Sequence, residues 1–394
     1  MTQIAIILGD PHIGKSLSIG KTTTGSTLNS RLVDQFNLLD WTLDRALELN
    51  AQHIIATGDI FEDPKPPTNL IVLFMGWLKK CSDNGVYVHL IMGNHDILRH
   101  GSIYTSPLDI ISEADIPGVH VYKDTNTIFI GSAAFTLMPF RDRKSLMCPT
   151  NAEAVLVVRD SLVYELASIP HTYYKIAIGH YALEGSLPIG DEIDDLANEL
   201  LCPLDMFLGY QFVWMGHVHR PQVLSTDPHI AHIGSMDISN FGETNHQKHI
   251  VVFDCQEGTW TQEILPTRPL QKMIVSVPKD TDDTTAYVIQ QLQEIGIQEK
   301  GIVRVEVSLS SPELTSINKT VIDKFLLSQG TFVVSGISES KKLGLIKKEG
   351  GQAMDTKMDV STAINAYAQL YIDDQQRSDF IELANEIHQV QGDK

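Results

Sequence analysis

The sequence predicts a layered α/β protein: a large domain of alternating strands and helices, a smaller β-α-β-α-β unit, and a helical tail. Three observations carry this expectation. Short apolar runs such as Ile4–Leu8 alternate with helical apolar periodicities through the first two-thirds of the chain. Two prolines in Pro266-Thr-Arg-Pro269 then interrupt regular structure. Beyond them the alternation resumes on a smaller scale and gives way to the Lys- and Gly-rich stretch ESKKLGLIKKEGG, which has the composition of a flexible linker.

In chain order, Ile4–Leu8 is continuously apolar, as expected of a strand covered on both sheet faces. Leu32, Phe36, Leu39, Leu43 and Leu47 recur at three- and four-residue spacing and predict a helix. Ile54–Ala56 is a second short strand, Leu70, Leu73, Trp77 and Leu78 mark a second helix, and Val86–Met92 is a third strand. Further strands are expected at Thr127–Ile130, Lys175–Ile178, Phe212–Met215 and Ile250–Phe253, with helices around Ala152–Leu166 and Asp194–Leu201. These elements give a sheet packed between other layers over residues 1–265. The smaller unit, residues 266–338, reads as Met273–Val277, Thr285–Ile295, Ile302–Leu309, Ile317–Leu327 and Phe332–Ile337. Residues 339–354 read as the linker and 355–394 as a helical segment. Its stripes (Ile364, Tyr367, Leu370, Tyr371; Phe380, Ile381, Ala384, Ile387) suit docking in a partner's groove or back onto its own domain.

Composition narrows the function classes. With 394 residues, 43% hydrophobic and 20% charged, the chain is neither a disordered segment nor a collagen-like or disulfide-stapled scaffold. A net charge of −19 argues against coating nucleic acid or anionic membrane by bulk charge. A local groove in which metal ions supply positive charge stays open. Cys81, Cys148, Cys202 and Cys255 form no CxxC pair and read as reduced thiols of a cytoplasmic protein. No stretch approaches the ~18 apolar residues of a bilayer span, so no membrane association is expected.

Five short motifs follow apolar runs: Asp10-Pro-His12, Gly58-Asp59, Gly93-Asn94-His95-Asp96, Gly179-His180 and Gly216-His217-Val-His219. Ligands of open α/β sheets sit outside the carboxyl ends of the strands, so these residues should converge. Carboxylates, imidazoles and one amide oxygen without thiolate suit Mn²⁺, Fe²⁺ or Zn²⁺. Asp10, His12, Asp59, Asn94, His180, His217 and His219 are too many for one open catalytic ion. They fit two that share a bridging carboxylate. An isolated histidine such as His53, His89 or His120 is instead expected to be structural.

The ordered set resembles the calcineurin-like metallophosphoesterase superfamily, and within it the SbcD-type DNA break-repair nucleases, including the recombination endonuclease subunits of tailed phages. The segment Ile233–Asp254 also looks like the stretch that follows the last metal motif in that family. The resemblance implies a layered phosphoesterase sandwich over 1–265, a small α/β capping domain over 266–338 and a tail that docks on an ATPase. It implies that Asp10, His12, Asp59 and His219 hold one metal and Asp59, Asn94, His180 and His217 the other. His95 would stand by the scissile phosphate, to stabilise charge or protonate the leaving oxygen. Asp96 follows immediately as a second catalytic candidate that could orient or polarise a neighbour, or be a plain surface or capping carboxylate. It further implies two divalent ions, Mn²⁺ foremost with Fe²⁺ or Mg²⁺ as alternatives. The implied activity is 3′→5′ exonuclease action on duplex ends and endonuclease action on single strands or hairpins, by a homodimer with an SbcC-type ABC ATPase. Gly58-Asp-Ile-Phe-Glu62 departs from relatives that carry histidine at the last position, which leaves a second catalytic histidine there in doubt. The Asp-Arg-Gly signature of phosphoprotein phosphatases is missing.

Competing readings remain. Gly9-Asp-Pro-His-Ile-Gly14-Lys15-Ser16 formally matches a phosphate-binding P-loop, but LSIGKTTTGST follows it where a helix should begin. A phosphodiesterase of small molecules or nucleotides would share the metal site. Arg141, Arg143 and Lys144 form a basic cluster that is either a DNA contact or a solvated loop. Arg220, beside the last motif, is the better DNA-contact candidate.

Overall fold

The computed structural model describes residues 3–22, 27–100, 103–188, 200–341 and 380–381. Residues 1–341 make one compact unit. Its large part is built on two stacked six-stranded sheets, where the apolar runs alone suggested one sheet between other layers. The first runs in the order Thr259–Ile264, His249–Asp254, Ile4–Leu8, His53–Ala56, Tyr87–Ile91, Val119–Tyr122. Its first two neighbouring pairs are antiparallel and the rest parallel. The second runs Gln222–Thr226, His229–His232, Phe212–Met215, Tyr174–Gly179, Ala133–Met138, Asn126–Ile130, antiparallel only at its two edges.

Strand alternation sorts the side chains into layers. Ala5 and Ile7 face the second sheet and meet Phe135, Leu137, Ile176, Ile178 and Trp214 in the inter-sheet core. Ile6 and Leu8 face outward onto the helices Ser30–Leu49 and Thr68–Asp83 through Leu39, Leu43, Phe74 and Leu78. Across the second sheet, Ala177, Val213 and Met215 pack on the helix Asn151–Ser168. The expected stripe of the first helix drifts at its end: Ala46 is buried while Leu47 is 40% exposed, because a 3.6-residue period carries the buried position from Leu43 to Ala46.

The five elements expected beyond Pro269 are present, as the strands Leu270–Val277, Ile302–Leu309 and Val333–Lys341 in a parallel sheet with the helices Thr284–Ile295 and Lys319–Ser328. They bury a core of their own around Val275, Val288, Val305 and Ile322. Leu270 and Ile302 join Ile238, Phe241 and Ile19 of the large part, and Arg304 lies 4.4 Å over the Phe241 ring. Asp34 receives two hydrogen bonds from Arg268 and one from the buried Arg31, which ties the large part to the segment entering the small sheet. The last strand runs to Lys341, so Glu339–Lys341 belong to the sheet and not to the linker. The linker from 342 on lies outside the described residues, as do the tail helices except for Phe380 and Ile381, which are helical. Most of the helix expected at Asp194–Leu201 lies outside as well, and Leu201 itself opens a short strand. Among the described residues no helix is long and apolar enough to cross a membrane.

Candidate metal centre

The carboxyl ends of parallel strands from both sheets open onto one place. Ile4–Leu8, His53–Ala56 and Tyr87–Ile91 lead to Asp10, Asp59 and Asn94; Tyr174–Gly179 and Phe212–Met215 lead to His180 and His217. Three of the residues there, His12, Asp59 and His217, have left-handed backbones with φ of 43°, 45° and 77°. Such conformations cost roughly 1–3 kcal/mol each and persist where surrounding contacts over-determine them. Two glycines make the approach possible. A Cβ on Gly93 would stand 2.1 Å from Asp59 Oδ1, and one on Gly216 would stand 2.1 Å from Asp10 Oδ1.

All seven expected ligands converge. Asp59 Oδ2 lies 3.4 Å from His12 Nε2 and 3.2 Å from His180 Nε2, so one oxygen faces both halves of the site. On one side His12 Nε2 and His219 Nε2 approach to 2.9 Å. On the other, Asn94 Oδ1 stands 2.8 Å from His180 Nε2 and 3.0 Å from His217 Nδ1. Asp10 accepts hydrogen bonds from Thr57 Oγ1 and from the His217 backbone N–H, both at 2.6 Å. Lone pairs aimed at each other across a buried space are the arrangement a shared cation resolves.

The electrostatics agree with this donor set. Burial would raise Asp59, but His180, His95 and His12 hold its carboxyl well below the usual range. Burial likewise pulls His180 down, yet Asp59 and Asp10 carry it well above the ordinary imidazole value. The buried carboxylates thus demand positive charge, which a proton on His180 meets in part and divalent ions would meet fully. His12 is neutral at physiological pH, pushed down to about 4 by burial and by Lys15 against the pull of Glu62 and Asp59. These residues fit a two-metal centre.

His95 is half-buried beside it. Its backbone N–H donates to Asp59 Oδ1 at 2.8 Å, and its Nδ1 sits 2.8 Å from the Glu62 carbonyl. A carbonyl only accepts, so Nδ1 carries the proton and Nε2 is left for chemistry. Asp96 does not share that position. It is fully buried, and its two oxygens accept from the backbone N–H groups of Ile60, Phe61 and Gly93. Asp96 braces the Asp59 and Asn94 loops. Burial, then Asp59, raises its pKa to about 7 against those three donors.

The basic residues separate. Arg141 is held by Asp124 and the Lys123 carbonyl and lies over Tyr104. Arg143 donates to the Pro149 carbonyl, while Lys144 is exposed. Arg220 is half-buried next to His219. Among the described residues no P-loop forms: Ser16 has a left-handed backbone, the 3₁₀ turn Leu17–Ile19 follows it, and Lys15 Nζ pairs with Glu62 at 3.1 Å.

Sequence reasoning did not single out a buried group behind His219. Lys248, with no exposed side-chain surface, is 2.7 Å from Glu243 Oε2 and donates to the His219 carbonyl at 2.9 Å. Burial opposes ionisation of Glu243, but His219 and Lys248 hold its carboxyl far below the ordinary range. These two residues lie five apart in an aperiodic loop, so no spacing announces them.

A cage of carboxylates and imidazoles at the strand ends of two stacked sheets defines a metallophosphoesterase. The chain belongs to the calcineurin-like phosphoesterase family, whose profile matches residues 5–221, more than half its length. It is similar to the DNA double-strand break repair protein Mre11 of Saccharolobus solfataricus, 27% identical over 197 residues (46% of this chain, 49% of the relative). It is also similar to the SbcD component of the nuclease SbcCD of Escherichia coli K12, 23% identical over 255 residues (57% and 60%). The SbcD component of Staphylococcus saprophyticus is 24% identical over 277 residues (68% and 69%). The chain thus spans about half to two-thirds of the length of these relatives.

Proposed function

We propose that this protein is a metal-dependent DNA nuclease that hydrolyses phosphodiesters at a two-metal centre. It acts as a 3′→5′ exonuclease on duplex ends and as an endonuclease on single strands or hairpins. Its setting is recombination and break repair in the cytoplasm, as a homodimer with an SbcC-type ABC ATPase. The observation that carries the reading is the single oxygen Asp59 Oδ2, which faces His12 Nε2 on one side and His180 Nε2 on the other. The names of the relatives supply the substrate class.

Asp10, His12, Asp59 and His219 would hold one ion, and Asp59, Asn94, His180 and His217 the other, with Mn²⁺ the expected metal. When bound, the pair would activate water and neutralise phosphate oxygens. The chain's own residues do the rest. His95, fixed at Nδ1 by the Glu62 carbonyl, presents Nε2 to the leaving oxygen. Arg220, half-buried next to His219, is the candidate for a DNA phosphate contact.

The test offers end-labelled linear DNA and bis-p-nitrophenyl phosphate with Mn²⁺, Fe²⁺ or Mg²⁺. DNA should be degraded fastest with Mn²⁺. Asp59→Asn should lose both metal and turnover. His95→Ser should keep the metal and lose about 10²–10⁴-fold in rate. Turnover of the small diester with DNA left intact would replace this reading with a small-molecule or nucleotide phosphodiesterase.

A further inference from the structure

We propose that Glu62 is a positioning residue that fixes the metal ligand His12 with its side chain and His95 with its backbone. The inference rests on the two-metal reading above and deepens it. Glu62 Oε2 lies 2.8 Å from His12 Nδ1, on the side of the ring away from the cage. At that separation the carboxylate's negative charge favours the ring protonated at Nδ1, so Nε2 offers its lone pair toward Asp59 and His219. The Glu62 carbonyl lies 2.8 Å from His95 Nδ1 and fixes that ring in the same way. The two imidazoles meet edge to face with centroids 5.0 Å apart. One residue therefore sets the orientation of two adjacent rings, one a ligand and one beside the substrate.

Glu62 is itself anchored. Lys15 Nζ reaches both of its carboxylate oxygens, at 3.1 and 3.3 Å, and its backbone N–H donates to the Ile13 carbonyl at 3.2 Å. Ile13 in turn donates to the Ile60 carbonyl at 2.9 Å, so the loop carrying His12 and the loop carrying Asp59 are laced together beside Glu62. The lysine of the misleading P-loop motif thereby acquires a purpose: it holds the carboxylate that holds His12.

The two contacts separate by substitution. Glu62→Ala removes the side chain but leaves the carbonyl on His95, and Glu62→Gln keeps a polar acceptor without the charge. Mn²⁺ binding to the full chain, followed by calorimetric titration, is the readout, with the unfolding temperature of the metal-free protein alongside. Wild type should take up two ions. Glu62→Ala should weaken one of them about 10–100-fold, leave the other unchanged and keep the metal-free unfolding temperature. Glu62→Gln should recover part of the loss, and Lys15→Met should fall between wild type and Glu62→Ala. Two ions at wild-type affinity in Glu62→Ala would overturn the assignment. Equal weakening of both ions, or a matching fall in the metal-free unfolding temperature, would also overturn it by showing a general structural role. Wild type binding fewer than two ions would instead overturn the two-metal reading, so the two failures are distinguishable.

Discussion

His180 is the residue on which the charge balance turns. Sandwiched by Asp59 and Asp10, it keeps a proton to higher pH than a free imidazole, and that proton must leave before Nε2 can ligate. Its raised pKa means that metal and proton compete, so Mn²⁺ affinity should climb as pH rises through the folded-state value. Calorimetric titrations between pH 6 and 9 would show this, and a flat profile would remove His180 from the ligand set. Asp96 illustrates the other use of a carboxylate beside a metal. Its side chain satisfies three buried backbone donors, so Asp96→Ala should destabilise the fold by about 3 kcal/mol in urea unfolding. Loss of activity with unchanged stability would restore a direct catalytic role.

Neighbouring strands carry a pH device of their own. In the first sheet, His89 pairs with His120 in register and stacks on it, and His89 Nε2 lies 3.1 Å from His53 Nδ1. Tyr122 Oη closes the row, 2.9 Å from His89 Nδ1. Burial, then the neighbouring imidazoles, pushes His89 down to about 3 and His53 to about 4. Both are therefore neutral in the fold over a range where the unfolded chain would protonate them. With the unfolded value near 6.5, the unfolded state binds more protons below that pH, so stability should fall as pH drops from 6.5 toward 4. His89→Leu should flatten that part of the profile in thermal unfolding, and parallel curves would contradict it. These histidines match the expectation for lone imidazoles outside the motifs: they pack and bond to one another and ligate nothing in the cage.

Across the molecule, the unit of residues 1–341 holds both large sheets, the small parallel sheet and every candidate ligand. A chain ending at Lys341 should therefore unfold cooperatively, bind Mn²⁺ and cleave phosphodiesters as the full chain does. It should lose association with an SbcC-type ATPase, as read by size-exclusion chromatography. Retained association would place the docking surface in the remaining unit. The net charge of −19 adds a second expectation at this scale. DNA binding by the isolated chain should be weak and should weaken further between 50 and 200 mM salt.

What could be read from the linear chain, and what could not, follows from the range of the forces involved. Apolar runs and helical stripes are local, so Ile4–Leu8, Tyr174–Gly179 and the five elements after Pro269 were legible within a few residues. Weakly patterned edge strands such as Gln222–Thr226 and Thr259–Ile264 were not, since they owe their state to pairing with a neighbouring strand. That pairing is also why two sheets appear where one was legible. The ligands could be named because strand ends followed by Gly-Asp, Asn-His and Gly-His are chemical signatures in themselves. The orientation of those ligands is a different matter. That Glu62 faces His12, that Asp96 braces three amides and that Lys248 is sealed behind His219 depend on contacts between distant segments. The sequence alone determined which donors exist and which strands deliver them. Only the tertiary structure decided which nitrogen each ring presents, because that choice is made by carboxylates and carbonyls brought in from other loops.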